Sequence, residues 1–168
     1  MTPQTTPSQT VGPYFSIGLP WPDGPEVVPD GDVVIRGVVL DGEREPIPDA
    51  LIETWQADPS GRYEVEGFRG FGRSPTNEAG EYEIRTVKPG AVGDQAPHIA
   101  VLVFARGLLD RVVTRIYFPE DADAHASDPV LSGLDEHARA TLIAAREEDG
   151  YRFDVRLQGP DETTFFSV

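Results

Sequence analysis

Few side chains in this sequence are suited to making and breaking bonds, and they are scattered. Histidine occurs three times, as His98, His125 and His137. Cysteine is absent, which removes disulfides, thiolate nucleophiles, thiolate zinc sites and iron–sulfur clusters. There is no Gly-x-Ser-x-Gly elbow. The run Gly67–Gly72 is glycine-rich, but it has the wrong spacing for a phosphate cradle and no helix pattern after it. Nothing in the order of the chain points to a Ser/His/Asp triad. His125 and His137 read as ordinary polar residues, one in a loop and one on a helix. Carboxylates are plentiful, yet Glu120–Asp123 and Glu147–Asp149 read as solvated clusters. All cations but Lys88 are arginines, which suit fixed, planar recognition of carboxylates; genome composition is the plainer explanation.

The elements that position these groups are mostly strands. Val33–Leu40 is β-branched and nearly continuous, as expected for a strand buried on both faces. Leu51–Gln56 follows a turn-rich stretch, Asp41–Asp49. Glu81–Val87 alternates, with Tyr82, Ile84 and Thr86 on one face. His98–Arg106 and Val112–Phe118 are long apolar strands, Tyr151–Leu157 alternates again, and a short strand is expected near Thr163–Phe166. One helix is expected near 134–147, because Leu134, Ala138, Leu142 and Ala145 fall on one stripe. Asp135 and Glu136 suit its start, Arg146 its end, and Gly150 its stop. Seven or eight strands with one short helix predict an all-β fold, a β-sandwich. Residues 1–31 read as an N-terminal arm and loop: 1–13 is a frayed tail or an extended arm, stiffened by Pro3, Pro7 and Pro13, that lies on a neighbouring subunit, and Gly18–Gly31, with Pro20, Pro22, Pro25 and Pro29, is loop. Residues 32–168 read as a single domain.

Composition narrows the partners. The 168 residues carry 14 Lys+Arg against 29 Asp+Glu, a formal charge of −15. Such an acidic chain is a poor match for nucleic acid or for an anionic membrane surface. The longest apolar run, Ile99–Ala105, is far too short to span a bilayer. The N-terminus has no basic segment followed by an apolar stretch, so no signal peptide is expected and the predicted location is cytoplasmic.

Several segments, taken in order, carry more information than any one of them. They are Thr6-Pro7-Ser8-Gln9-Thr10-Val11-Gly12-Pro13-Tyr14, Ile52-Glu53-Thr54-Trp55-Gln56-Ala57-Asp58, Gly61-Arg62-Tyr63 and Phe71-Gly72-Arg73. Thr86-Val87-Lys88-Pro89-Gly90, Ala96-Pro97-His98-Ile99, Phe104-Ala105-Arg106-Gly107, Thr114-Arg115-Ile116-Tyr117-Phe118 and Tyr151-Arg152-Phe153-Asp154 follow. From Thr6 to Phe166 the chain resembles the intradiol ring-cleaving dioxygenases, in particular the alpha-type subunit of their two-chain members. The resemblance implies a β-sandwich and a non-haem Fe(III) held by two tyrosines and two histidines in the catalytic subunits. Hard Fe³⁺ favours phenolate oxygen, and imidazole completes the shell.

On that resemblance Tyr63 matches the first tyrosine and His98 the first histidine. The second tyrosine position falls on Val92 and the second histidine position on Ala100. Neither replacement has a donor, so this chain is expected to hold no iron alone, with Tyr63, Val92, His98 and Ala100 a vestige. The resemblance further implies that Fe(III) is bound by a partner beta subunit in a higher-order alpha/beta assembly. This chain would close the substrate pocket with Thr10, Gly12, Pro13, Tyr14 and Arg106. The implied reaction is intradiol cleavage of 3,4-dihydroxybenzoate with O₂ to 3-carboxy-cis,cis-muconate, with Arg106 helping to hold the ring carboxylate directly or through water. Taken without the resemblance, Gly12–Tyr14 reads more readily as a simple turn before a strand, and Arg106 equally as a strand-end arginine in a surface salt bridge. Eight positions separate His98 from Arg106, roughly 27 Å of regular strand, which predicts two separate places rather than one site. Other readings open at this level are a self-sufficient intradiol dioxygenase with substitute ligands, a non-catalytic β-sandwich binding module, and a homomeric structural protein.

Overall fold

A computed structural model describes residues 5–167; the part of the arm that falls on residues 1–4 lies outside them. Nine strands form two sheets. The first contains β1 (Val33–Leu40), β4 (Glu81–Thr86), β7 (Ala145–Glu147), β8 (Gly150–Arg152) and β9 (Val155–Arg156). Its path is β4-β1-β8-β7, and β9 also pairs with β1. The second sheet is fully antiparallel, with β3 (Phe71–Pro75), β2 (Leu51–Trp55), β5 (His98–Phe104) and β6 (Val112–Tyr117) in that order. The sandwich core lies between the sheets. Ile35, Val39, Ile84, Phe153 and Val155 face Ile52, Ile99, Val101, Val103 and Ile116 across it. Each such side chain contributes roughly 1.5–3 kcal/mol when taken from water. A smaller apolar layer covers the other face of β5 and β6, where Tyr117, Leu131 and Leu142 are fully buried. Short helices α1 (Phe15–Gly18), α2 (Ala122–His125) and α3 (Glu136–Ala140) complete the chain.

Three departures from the expected elements have clear causes. The helix over 134–147 is one turn long: Asp135 caps it by accepting from Ala138 N–H at 2.8 Å, and it stops at Ala140. Leu142 and Ala144 are claimed by the sheet instead. Tyr117 N–H donates to Leu142 C=O at 2.9 Å and Ala144 N–H donates to Tyr117 C=O at 3.0 Å, so 145–147 becomes β7. Gly150 then belongs to a tight β7–β8 hairpin rather than to a helix stop. Secondly, the strand over 151–157 is split in two. Between β8 and β9 the Asp154 carboxylate replaces a backbone acceptor and takes Val38 N–H at 3.0 Å, while Tyr82 OH donates to Phe153 C=O at 2.7 Å. Thirdly, Phe71–Pro75 is a strand that its composition does not announce, and Thr163–Phe166 is not one.

The acidic run after β6 is also less solvated than expected. Glu120 and Asp121 both pair with Lys88, at 2.9 and 2.8 Å, and Tyr151 OH donates to Glu120. Burial opposes ionisation of Glu120, but the bonds from Tyr151 and Lys88 outweigh it and bring its carboxyl down from 4.5 to about 2. A depressed carboxyl stabilises the fold above its unfolded value and loses that contribution as pH falls through its folded value. Acid titration of the folded chain is therefore expected to cost stability between pH 4.5 and about 2, and Lys88→Met to shrink that pH dependence in urea melts at several pH values. Equal slopes for both proteins would remove the pair from the account. Gly37 offers a second test, because a Cβ there would sit 1.8 Å from Phe153 C=O. Gly37→Ala is expected to cost about 2–4 kcal/mol in urea unfolding, in the range of disruptive core changes. Gly133→Ala, where nothing lies within 4 Å, serves as its control.

Candidate functional site

Strand β5 sets the geometry of both places singled out by the sequence. Its residues alternate: Ile99, Val101 and Val103 enter the core, while His98, Ala100, Leu102 and Phe104 face out. His98 opens the strand, and Arg106 lies two residues past its end, in a turn where Gly107 takes φ +97. The two are therefore at opposite ends of one strand.

At the Arg106 end, the N-terminal arm is tied to the turn. Val11 N–H donates to Leu108 C=O at 3.1 Å, and Leu108 N–H donates to Ala105 C=O at 3.2 Å. Thr10, Gly12 and Pro13 are exposed beside this clamp, and a Cβ on Gly12 would meet nothing within 4 Å. Pro13 opens the turn that leads into α1, with its C=O accepting from Ser16 Oγ at 2.8 Å. Phe15 is buried, so Tyr14 is left 76% exposed. Further along, Arg73 bonds Leu19 C=O at 2.8 Å, pairs with Glu53, and lies 4.8 Å from the Trp21 ring centroid. The segment after Tyr14 is thus pinned to the second sheet rather than free. Arg106 Nε lies 3.0 Å from Asp49 Oδ2, yet its side chain stays 59% exposed. Its terminal nitrogens make no hydrogen bond among the described residues. A cavity of about 200 Å³ lined by Val11, Phe104, Leu108 and Leu109 adjoins the clamp. An exposed segment beside a partly free guanidinium can hold an anionic ring.

The His98 end is differently made. The β2–β5–β6 register sets Ala100 between Trp55 and Arg115, and His98 beside Tyr117. Tyr63 stacks on Trp55 with ring centroids 6.1 Å apart. Val92 bridges Gln95, and Gln95 Oε1 accepts from Arg115 Nη1 at 2.8 Å. The same nitrogen lies 3.2 Å from Tyr117 OH. Burial holds the His98 imidazole below its usual range, and the hydrogen bond with Ala96 C=O at 2.8 Å opposes this. That bond requires a proton on Nδ1 and leaves the lone pair on Nε2. Burial raises the Tyr63 phenol, with the Arg115 charge pulling the other way. Tyr63 and His98 thus offer two donors, Val92 and Ala100 offer none, and a guanidinium charge acts on both donors. This donor set does not fit a ferric ion.

Comparison with known proteins gives the family. The Dioxygenase family model matches residues 12–97. The chain is 42% identical over 195 aligned positions to the protocatechuate 3,4-dioxygenase alpha chain of Burkholderia cepacia, covering 99% of both. The chain belongs to the intradiol dioxygenase family. Within it, the beta chain of the same Burkholderia enzyme is 36% identical, covering 78% of this chain and 66% of its own length. Among solved structures, the dioxygenase domain of a dioxygenase carbohydrate-binding protein fusion from Streptomyces sp. SirexAA-E superposes with a TM-score of 0.65 at 28% identity, covering 93% of this chain and 99% of that one.

Two residues of this intradiol dioxygenase were not assigned a role from sequence. Arg115 lies within Thr114–Phe118 and Asp49 closes the turn-rich stretch Asp41–Asp49; each gains meaning only from a partner distant in the chain. Among the described residues no helix is long and apolar enough to cross a membrane. If Arg115 faces Tyr63 electrostatically, Arg115→Gln is expected to raise the Tyr63 phenol pKa further. Tyrosinate absorbance titrations of R115Q with and without Tyr63→Phe isolate that group. An unmoved Tyr63 would show that the guanidinium does not act on it.

Proposed function

We propose that this chain is the alpha subunit of an alpha/beta protocatechuate 3,4-dioxygenase. It closes the substrate pocket of an iron-bearing beta subunit and carries no iron itself. The observation that supports this best is the Arg106 end of β5. The arm and the Arg106 turn are hydrogen-bonded into one exposed unit, and the guanidinium keeps free donors beside it. The reading takes its substrate from the alpha chains it resembles: 3,4-dihydroxybenzoate, cleaved with O₂ to 3-carboxy-cis,cis-muconate. Fe(III) on the beta subunit would supply the activation of the catechol, and the location would be cytoplasmic.

This chain's own part is positioning. Thr10, Gly12, Pro13 and Tyr14 form a wall held at a fixed height over the β5 end, which orients a flat ring and excludes water. Arg106 takes the ring carboxylate through its terminal N–H groups, directly or through one water. The local cation matters because the chain as a whole carries −15; screening over about 8–10 Å keeps distant acids from cancelling it.

The test is kinetic, on the chain co-expressed and co-purified with a beta-type partner. A charge-assisted hydrogen bond contributes about 1.5–3 kcal/mol, so Arg106→Ala is expected to lower kcat/KM for 3,4-dihydroxybenzoate about tenfold or more relative to catechol. The loss is expected mainly in KM. An unchanged ratio between the two substrates would take Arg106 out of the site, and failure to associate with any beta-type chain would overturn the assignment.

A further inference from the structure

The geometry points to Asp49 as a positioning residue that aims Arg106 at the substrate carboxylate; this rests on the reading of Arg106 given above. Asp49 ends the turn before β2, next to Ala50, which is fully buried. Its side chain is only 16% exposed, and its one charged contact among the described residues is Arg106, Oδ2 to Nε at 3.0 Å. Its other oxygen, Oδ1, is buried without a hydrogen-bond partner. As part of the fold this arrangement contributes little, since a buried, unsatisfied carboxylate oxygen is unfavourable.

As an aiming device the same arrangement is well made. Arg106 is on a turn, on a long side chain that would otherwise sample many rotamers. The ion pair places Asp49 Oδ2 3.0 Å from Nε, next to the root of the guanidinium, while the terminal nitrogens make no hydrogen bond among the described residues. The clamp between Val11 and Leu108 fixes the backbone of the same turn. Side chain and main chain of the Arg106 turn are thus held from two directions, as a supporting shell holds a binding group.

Sign separates this role from a field effect. Removing the aspartate charge makes the locality more positive, which by Coulomb attraction alone would tighten the hold on a carboxylate. Loss of aim does the opposite. The experiment uses the alpha/beta assembly with Asp49→Asn, Arg106→Ala and the double variant, assayed with 3,4-dihydroxybenzoate and with catechol, alongside thermal unfolding. D49N is expected to raise KM for 3,4-dihydroxybenzoate about fivefold, with kcat changed less than about twofold, and to shift the kcat/KM ratio between the substrates by a similar factor. Adding D49N to R106A is expected to cost nothing more, because residues acting through one another are not additive. The unfolding midpoint is expected not to fall.

A lower KM in D49N, or equal losses with both substrates, or an added loss in the double variant, would overturn the inference. So would an unchanged D49N beside an impaired R106A, which leaves the reading of Arg106 standing. An R106A assembly with an unaltered substrate ratio would instead sink that reading, and this inference with it.

Discussion

The pleat of β5 is the constraint from which the rest follows. A strand sends successive side chains to opposite faces, so a chain that commits Ile99, Val101 and Val103 to the core must present His98, Ala100, Leu102 and Phe104 on the other side. Neighbours in register complete that outer face: Trp55 and Glu53 from β2, Phe71 and Arg73 from β3, Arg115 and Tyr117 from β6. One face of that sheet therefore carries both the cluster around His98 and the approach to the Arg106 turn. The strand's length keeps them apart.

At the His98 end the side chains of Val92 and Ala100 are hydrocarbon, and a cation, Arg115, stands beside them. Arg115 is linked to both positions: it pairs with Ala100 across the strands and bonds Gln95, whose backbone bridges Val92. A guanidinium is satisfied by neutral oxygens such as Gln95 Oε1 and Tyr117 OH, so the cluster needs no metal to hold it together. At the other end the chemistry is electrostatic and geometric. In the proposed reading, an acidic protein offers a carboxylate a cation at one exposed turn, and a largely buried acid keeps that cation in place.

Much of this was legible in the residues, and the failures have physical causes. Continuous β-branched runs such as Val33–Leu40 and Ile99–Ala105 announce core strands because little else buries them so well. Phe71–Pro75 gives no such signal. It is a strand because it pairs with β2, and Gly72 is needed there because a side chain would press on Val27 Cγ2 at 2.5 Å. The stripe Leu134–Ala145 suits a helix, yet the sheet took Leu142 and Ala144 through Tyr117; a local pattern cannot show a competing partner. The same holds for Lys88 with Glu120, and for Asp49 with Arg106. That Val92 and Ala100 carry no donor follows from their side chains alone; that they stand where a donor belongs is only what the resemblance implies.

The most direct measurement is diffraction from crystals of the alpha/beta assembly soaked with 3,4-dihydroxybenzoate, with data collected at the iron absorption edge. The account predicts substrate density with its carboxylate facing the terminal nitrogens of Arg106, at hydrogen-bond distance or across one water. It predicts anomalous signal in the beta subunit and none between Tyr63 and His98. An iron peak between Tyr63 and His98, or a substrate whose carboxylate is turned away from Arg106, would contradict it.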